Sequence, residues 1–144
     1  MRIQVKWVLT VNRMGEIRDR VYRDRGSQLA KAMRLCRYNH PAYPSAAALL
    51  AVHSAIAYND AVQIKLTGDR WRSQDHGQAI AAIKRACGTA KIEPLGIAHL
   101  GKLLSMKTDI SYGDKEVDNQ LAEALCVAAD RFEAWAEGYV LNRR

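Results

Sequence analysis

Between Ser45 and Thr67 the chain carries a run of alanines punctuated by larger apolar residues at helical spacing. Ala48, Leu49, Val52, Ile56, Ala57, Ala61 and Ile64 recur every three or four positions, the period of one helix face. Ser45 can cap the first turn, and Gly68 in Thr67-Gly68-Asp69 suits the left-handed closing residue. Small side chains on a helix let its neighbours approach closely, so this segment predicts a tightly packed helical core. The remaining composition agrees. Aromatic residues make up only 7% of the 144, and only three are proline. A hydrophobic fraction of 49% excludes a disordered chain. A single domain of this length buries roughly two-thirds of its unfolded surface, enough to need neither disulfide nor metal.

The flanking segments continue the helical theme. Ile17 and Val21, then Leu29, Met33 and Cys36, predict helix over residues 16–37, with Gly26-Ser27 as an interruption. Tyr38 to Pro44 reads as a loop with two prolines. Ser73 or Asp75 caps a third helix with face Ala79, Ile80, Ile83 and Cys87, stopped by Gly88. Pro94 fits the first turn of a fourth helix, which presents Leu95, Ile97, Ala98, Leu100, Leu103 and Leu104. After a loop over residues 108–113, a last helix begins near Asp114 and carries Val117, Leu121, Leu125, Ala128, Phe132, Trp135 and Tyr139. Ahead of all these, Ile3, Val5, Trp7, Leu9 and Val11 alternate with mostly polar residues, the period of a short strand or extended arm. The fold expected is all-α: an antiparallel up-and-down bundle of four or five helices with a short extended or strand-like N-terminal arm. The chain then divides into a basic extension over residues 1–26 and the bundle over residues 27–144.

Charge is distributed unevenly. Residues 1–37 hold ten basic and three acidic residues, which is the whole of the net +7; the rest of the chain is neutral. Such a segment attracts phosphate backbones or an acidic partner. Its interleaved acids, as in Glu16-Ile17-Arg18-Asp19-Arg20, are also the pattern of a solvated helix face. Three cysteines, Cys36, Cys87 and Cys126, form no Cys-x-x-Cys pair and read as reduced thiols, hence a cytoplasmic setting. No stretch reaches the roughly twenty apolar residues of a membrane span. No glycine-rich phosphate loop and no metal-ligand spacing is present, so no cofactor and no metal are expected.

Three stretches carry possible chemistry. Arg70-Trp71-Arg72-Ser73-Gln74-Asp75-His76 sets cations and an aromatic at a helix start, where free amides attract anions. Arg70, Arg72 and His76 are its phosphate-binding candidates, against a plain reading in which Asp75 caps and the arginines are solvated. Lys107-Thr108-Asp109-Ile110-Ser111-Tyr112-Gly113-Asp114 gathers a cation, a phenol and two carboxylates. Its plain reading is a loop with Tyr112 packed down as a lid. His53 stands on the alanine-rich helix beside Val52, where a lone histidine is more often a hydrogen-bonded core residue than a ligand.

The three stretches in this order resemble the HEPN superfamily. The likeness rests on the alanine-rich helix Ala46 through Ala61, on Asp75-His76-Gly77-Gln78-Ala79, and on Leu103-Leu104-Ser105-Met106-Lys107 leading through Tyr112-Gly113-Asp114 into the final helix. It spans roughly residues 27–137. The resemblance implies a helical bundle, usually a homodimer. It also implies a metal-independent ribonuclease chemistry in which an arginine neutralises a phosphate and a histidine four to six residues later handles a proton, with an antitoxin or nucleotidyltransferase-like partner in some members. The 2′-hydroxyl is what makes RNA the substrate of such chemistry. By position, Lys107 replaces the arginine and Tyr112 the histidine. Lysine keeps the charge and loses the bidentate fork, and a phenol titrates near about 10, far from neutrality. Asp109 lies between them and, with His53, joins Arg70, Arg72 and His76 as a candidate for binding nucleic acid or phosphate. Arg70 and His76 match the spacing too, but one helix earlier.

Three functions follow in order of weight. The first is a weakly catalytic or noncatalytic HEPN-like domain binding RNA, a nucleotide or a protein. The second is an active ribonuclease of toxin or antiphage type. The third is an assembly protein docking through its basic segment.

Overall fold

The computed structural model describes residues 2–40, 42–70 and 75–143, with backbone alone for residues 2–17. Every element among them is helical. They are α1 (Arg2–Tyr38), α2 (Pro44–Thr67), α3 (His76–Ala90), α4 (Ile97–Ser105), α5 (Lys107–Tyr112) and α6 (Asn119–Trp135), which continues as a π-helical turn, Ala136–Leu141. The all-α expectation holds. No helix among the described residues is long and apolar enough to cross a membrane.

The alanine-rich α2 occupies the centre, touching α1, α3, α4, α5, α6 and the π turn. Ala47, Ala48, Ala51, Val52, Ala55, Ala61 and Val62 are all buried to 2% exposure or less. Small side chains on several faces, rather than one apolar stripe, let a single helix serve as the hub. Its start differs from expectation. Pro44 takes the first helical position, Tyr43 precedes it, and no side chain caps the turn. Pro44, having no amide to satisfy, suits the first helical position, and Ser45 falls inside the helix instead of capping it. Gly68 closes the helix with φ 87° and donates its amide to the Ile64 carbonyl, as the sequence predicts.

α1 departs most from the sequence reading. Residues 2–11 are helical and no strand forms. Ile3, Trp7 and Val11 also repeat every four residues, so the same letters fit both periods, and no Gly or Pro punctuates them before Gly15. The helix runs unbroken through Gly26-Ser27 and so across the expected boundary between extension and bundle. Gly26 is a contact site rather than a breaker: a Cβ there would stand 2.7 Å from Cδ2 of Tyr58. The glycine lets α1 and α2 close on each other, and the Ser54 hydroxyl donates to the Gly26 carbonyl at 2.9 Å.

Ion pairs fix the helix directions. Arg18, near the middle of α1, meets Asp69, just past the end of α2. Farther along α1, the Tyr43 amide donates to the Cys36 carbonyl at 3.0 Å, so α1 and α2 are antiparallel. Arg23 pairs with Glu137, Arg34 with Asp130 and Glu133, and Arg37 with Glu123 and Asp130. Partner numbers fall as α1 numbers rise, so α6 is antiparallel to α1 as well. Arg23, Arg34 and Arg37 are therefore side-chain ties from α1 to α6 and its π turn, and Arg18 is a more exposed tie to the residue beyond α2. Carboxylate hydrogen bonds raise the pKa of Arg23, Arg34 and Arg37, and Arg37 holds Glu123 below the usual range.

The other boundaries shift for local reasons. Asp75 caps α3 by accepting the Gln78 amide at 2.9 Å. The helix passes Gly88 and closes at Lys91, in the left-handed region at φ 57°. Pro94 and Leu95 precede α4 rather than opening it, and Leu95 is exposed. Gly96 admits the Trp135 ring, whose Nε1 donates to the Glu93 carbonyl at 2.8 Å. The last helix starts at Asn119, capped by Asp118, instead of near Asp114. The stripe expected to bury Tyr139 buries Val140 instead. A π turn advances about five residues where an α turn advances about four, so Trp135 is followed inward by Val140, and Tyr139 is exposed.

Candidate functional site

The segment expected to be a loop over residues 108–113 is the short helix α5. Ile110 and Met106 pack against the core and seat it on α2. This changes the geometry of the Lys107 and Tyr112 pair. Five residues along an α-helix is a rotation of about 500°, so the two side chains leave the axis roughly 140° apart and do not share a face. Tyr112 is 86% exposed and is not a packed-down lid. Asp109 is exposed, and its carbonyl accepts the Gly113 amide at 3.0 Å, closing the helix.

Docking α5 on α2 brings the charge of Lys107 within electrostatic reach of His53 instead. His53 is an exposed residue of α2 and not a core histidine. Its imidazole is held below its ordinary value, first by partial desolvation and then by the charge of Lys107. Near neutral pH this gives an uncharged ring, able to accept a proton, beside an ammonium. Sequence spacing has no access to this pair, because 54 positions separate its members. His99 on α4 is also shifted downward, by desolvation and by the charges of Arg131 and Lys102. Among the described residues no group of three or more His, Cys, Asp or Glu is placed to hold a metal ion.

The second concentration of polar groups lies where α2 ends. Arg72 falls outside the described residues, as do Trp71 and Ser73. Arg70 is described. Its guanidinium lies 5.8 Å from the centre of the Tyr22 ring, and that of Arg25 lies 4.9 Å away, so two cations flank one aromatic. Both guanidiniums also act on Asp60. Burial pushes that carboxyl up to about 6, and the two arginines pull it partly back. His76 is the first residue of α3, half-buried, and does not belong to this cluster by any described contact.

Arg70 also lines a groove of about 620 Å³ between the C-terminal parts of α2 and α3. Gln63, Leu66, Thr67 and Asp69 form one wall, and Ala82, Arg85, Ala86 and Thr89 the other. Gln63 is only 3% exposed, and its Nε2 has no hydrogen-bond partner. One turn earlier, the buried Asn59 leaves its Oδ1 unpaired. Orphaned buried amides are rare, since each carries its desolvation cost without return. Sequence reading missed Gln63 and Arg85. The one available signal was polar Asn59 and Gln63 at positions i and i+4 within an otherwise apolar helix face.

Compared with protein-family models, with curated proteins and with solved structures, the chain matches none.

Proposed function

We propose that this chain is a HEPN-like helical domain, an antiparallel up-and-down bundle acting as a homodimer, that binds RNA without cleaving it efficiently. The observation that carries the reading is that the charge of Lys107 on α5 acts on the exposed His53 imidazole of α2, while the exposed Tyr112 leaves α5 on a different face from Lys107. A lysine beside an uncharged imidazole attracts a phosphate. An exposed phenol one helix turn away offers a ring for a base to stack on. The phenol and the ammonium are not aimed at one phosphate, so the replacement pair supplies binding rather than proton transfer.

One observation favours a second reading, a metal-independent ribonuclease. His53, kept unprotonated beside Lys107, has the ionisation a general base needs near neutral pH. In that case His53 and not Tyr112 takes the proton of the ribose hydroxyl.

Incubation with total RNA and tRNA at two salt concentrations, reading both retention and cleavage, separates the two. Binding alone predicts retention that falls steeply with salt and weakens roughly tenfold in Lys107→Ala, with intact RNA throughout. Cleavage that vanishes in His53→Ala establishes the second reading. Retention unchanged in both variants removes this face from either.

A further inference from the structure

We propose that the N-terminal half of α1 is an amphipathic helix that lies on an anionic lipid surface, with an apolar stripe toward the bilayer and a line of cations along its edge. The surface is distinct from the face that holds Lys107 and His53, and the proposal stands or falls independently of RNA binding there.

The cations of α1 sort by helix face. Gly26, Ala30 and Met33 mark the side buried against the bundle. Arg23, Arg34 and Arg37 flank it, and each is ion-paired to α6 or its π turn. Arg20, Val21, Arg25, Lys31 and Leu35 are exposed, and neither Arg20 nor Lys31 forms an ion pair among the described residues. The charge left over by the fold therefore collects on the outer side of α1.

The sequence continues that side toward the N-terminus. At about 100° per residue, Arg2, Lys6, Arg13 and Arg20 fall within about 40° of one another around the axis, and Lys31 falls on the same line. Beside them run Ile3, Trp7, Thr10, Met14, Ile17 and Val21, spaced alternately four and three apart and spread over about 80°. Val21 is 47% exposed, and Leu35, on the same stripe, is 77% exposed. The acids Glu16 and Asp19 fall on the opposite side of the helix. Arg18 meets Asp69 just past the end of α2, and the two helices are antiparallel, so residues 2–17 carry roughly 24 Å of α1 on past that level.

Charge decides the occupant. A second copy seamed through the stripe sets cation against cation in either direction: Arg13 against Arg18 and Arg20 against Arg25 when parallel, Lys6, Arg13 and Arg20 against one another when antiparallel. A nucleic acid takes the cations but has no use for Ile3, Met14 and Ile17. A single acidic helix covers only a narrow seam, and Val5, Val8 and Leu9 make the first turns apolar beyond the stripe. A bilayer with acidic head groups answers both features at once, and tryptophan at the apolar edge is the residue that membrane interfaces favour.

The test is sedimentation of the full chain with phosphatidylcholine vesicles, with and without about one-third phosphatidylserine, at low and high salt, with RNA retention measured alongside. Retention is expected to be at least roughly tenfold stronger on the anionic vesicles and to fall with salt. Met14→Asp and the double variant Lys6→Gln with Arg13→Gln are each expected to weaken it roughly tenfold or more, with the unfolding midpoint unchanged. Removing two exposed cations elsewhere, by Lys84→Gln with Lys115→Gln, is expected to leave it intact. Brominated lipid is expected to quench the parent's tryptophan fluorescence and to lose most of that effect in Trp7→Phe. The proposal is overturned if the chain does not sediment with anionic vesicles. It is overturned equally if Met14→Asp sediments like the parent, which leaves adsorption by charge alone, or if Lys6→Gln with Arg13→Gln abolishes RNA retention while vesicles are never bound.

Discussion

Gly26 of α1 lies directly against the Tyr58 ring of α2, so close that a methyl group there would sit 2.7 Å from Cδ2 and 2.9 Å from Cε2. The ring has little room to retreat. It is 2% exposed, and its hydroxyl lies 3.1 Å from Oε1 of Glu137, which Arg23 also holds. One carboxylate thus ties α1, α2 and the π turn at a single level. Burial and the nearby acids push the Tyr58 phenol above its ordinary value, so it remains a neutral donor.

Gly26→Ala is expected to destabilise the fold by about 1–3 kcal/mol in urea unfolding, because overpacking outweighs the gain in helix propensity. Gly88→Ala is the matched control. Nothing lies within 4 Å of its added Cβ, so only the propensity gain remains, and stability is expected to be unchanged or higher by up to about 1 kcal/mol. Equal effects at the two glycines would contradict the close approach.

The ion pairs differ in value with exposure. The Arg37 side chain is 10% exposed and bridges two carboxylates, whereas Arg18 and Asp69 are 41% and 57% exposed. Arg37→Ala is expected to cost about 1–3 kcal/mol, since it leaves two acids without their shared cation, and Arg18→Ala less than about 0.5 kcal/mol. Unfolding at low and at about 1 M salt checks the assignment. The Arg18 effect disappears with screening, and most of the Arg37 effect survives.

Asp60 makes stability depend on pH in the direction opposite to a salt-bridged acid. The folded state binds its proton up to about 6, the unfolded chain only up to its ordinary 3.8. Between those values the folded state holds more protons, so stability falls as pH rises through this window. Asp60→Asn is expected to be more stable than the parent at about pH 7.5 and no more stable at about pH 4. Urea unfolding at both values measures the difference.

Thiol reactivity reports on the packing of α3 and α6. Cys87 and Cys126 are 1% and 0% exposed, and burial pushes both thiols up, Cys126 to about 11. Cys36 is only partly buried. Iodoacetamide on the native protein is expected to modify Cys36 alone, with Cys87 and Cys126 reacting only in denaturant, as peptide mass mapping can verify.

The helices that sequence periodicity located are the ones whose cores dominate their energetics, α2 and α6. There an apolar residue every three or four positions leaves no alternative period. Local rules also located Gly68 and Asp75, because a left-handed φ and a free amide are satisfied within a few residues. Failure came where two patterns fit the same letters, as in residues 2–11, or where a distant partner decides. Gly26 reads as a breaker until Tyr58 is placed against it. Tyr139 reads as core until the π turn advances the register. The candidate site divides the same way. Lys107 and His53 were each legible, but their meeting depends on α5 docking on α2. Gln63 gave no local signal beyond its polarity, because an unpaired amide is a property of the folded interior.

The arginine ties between α1 and α6 join residues 86 to 114 positions apart. During synthesis α1 is made before the helix that answers its charges. Until α6 follows, Arg23, Arg34 and Arg37 lack these carboxylate partners. The nascent segment is therefore more basic, and more adhesive to nucleic acid, before α6 is made than after. Closing the fold is also the step that discharges it.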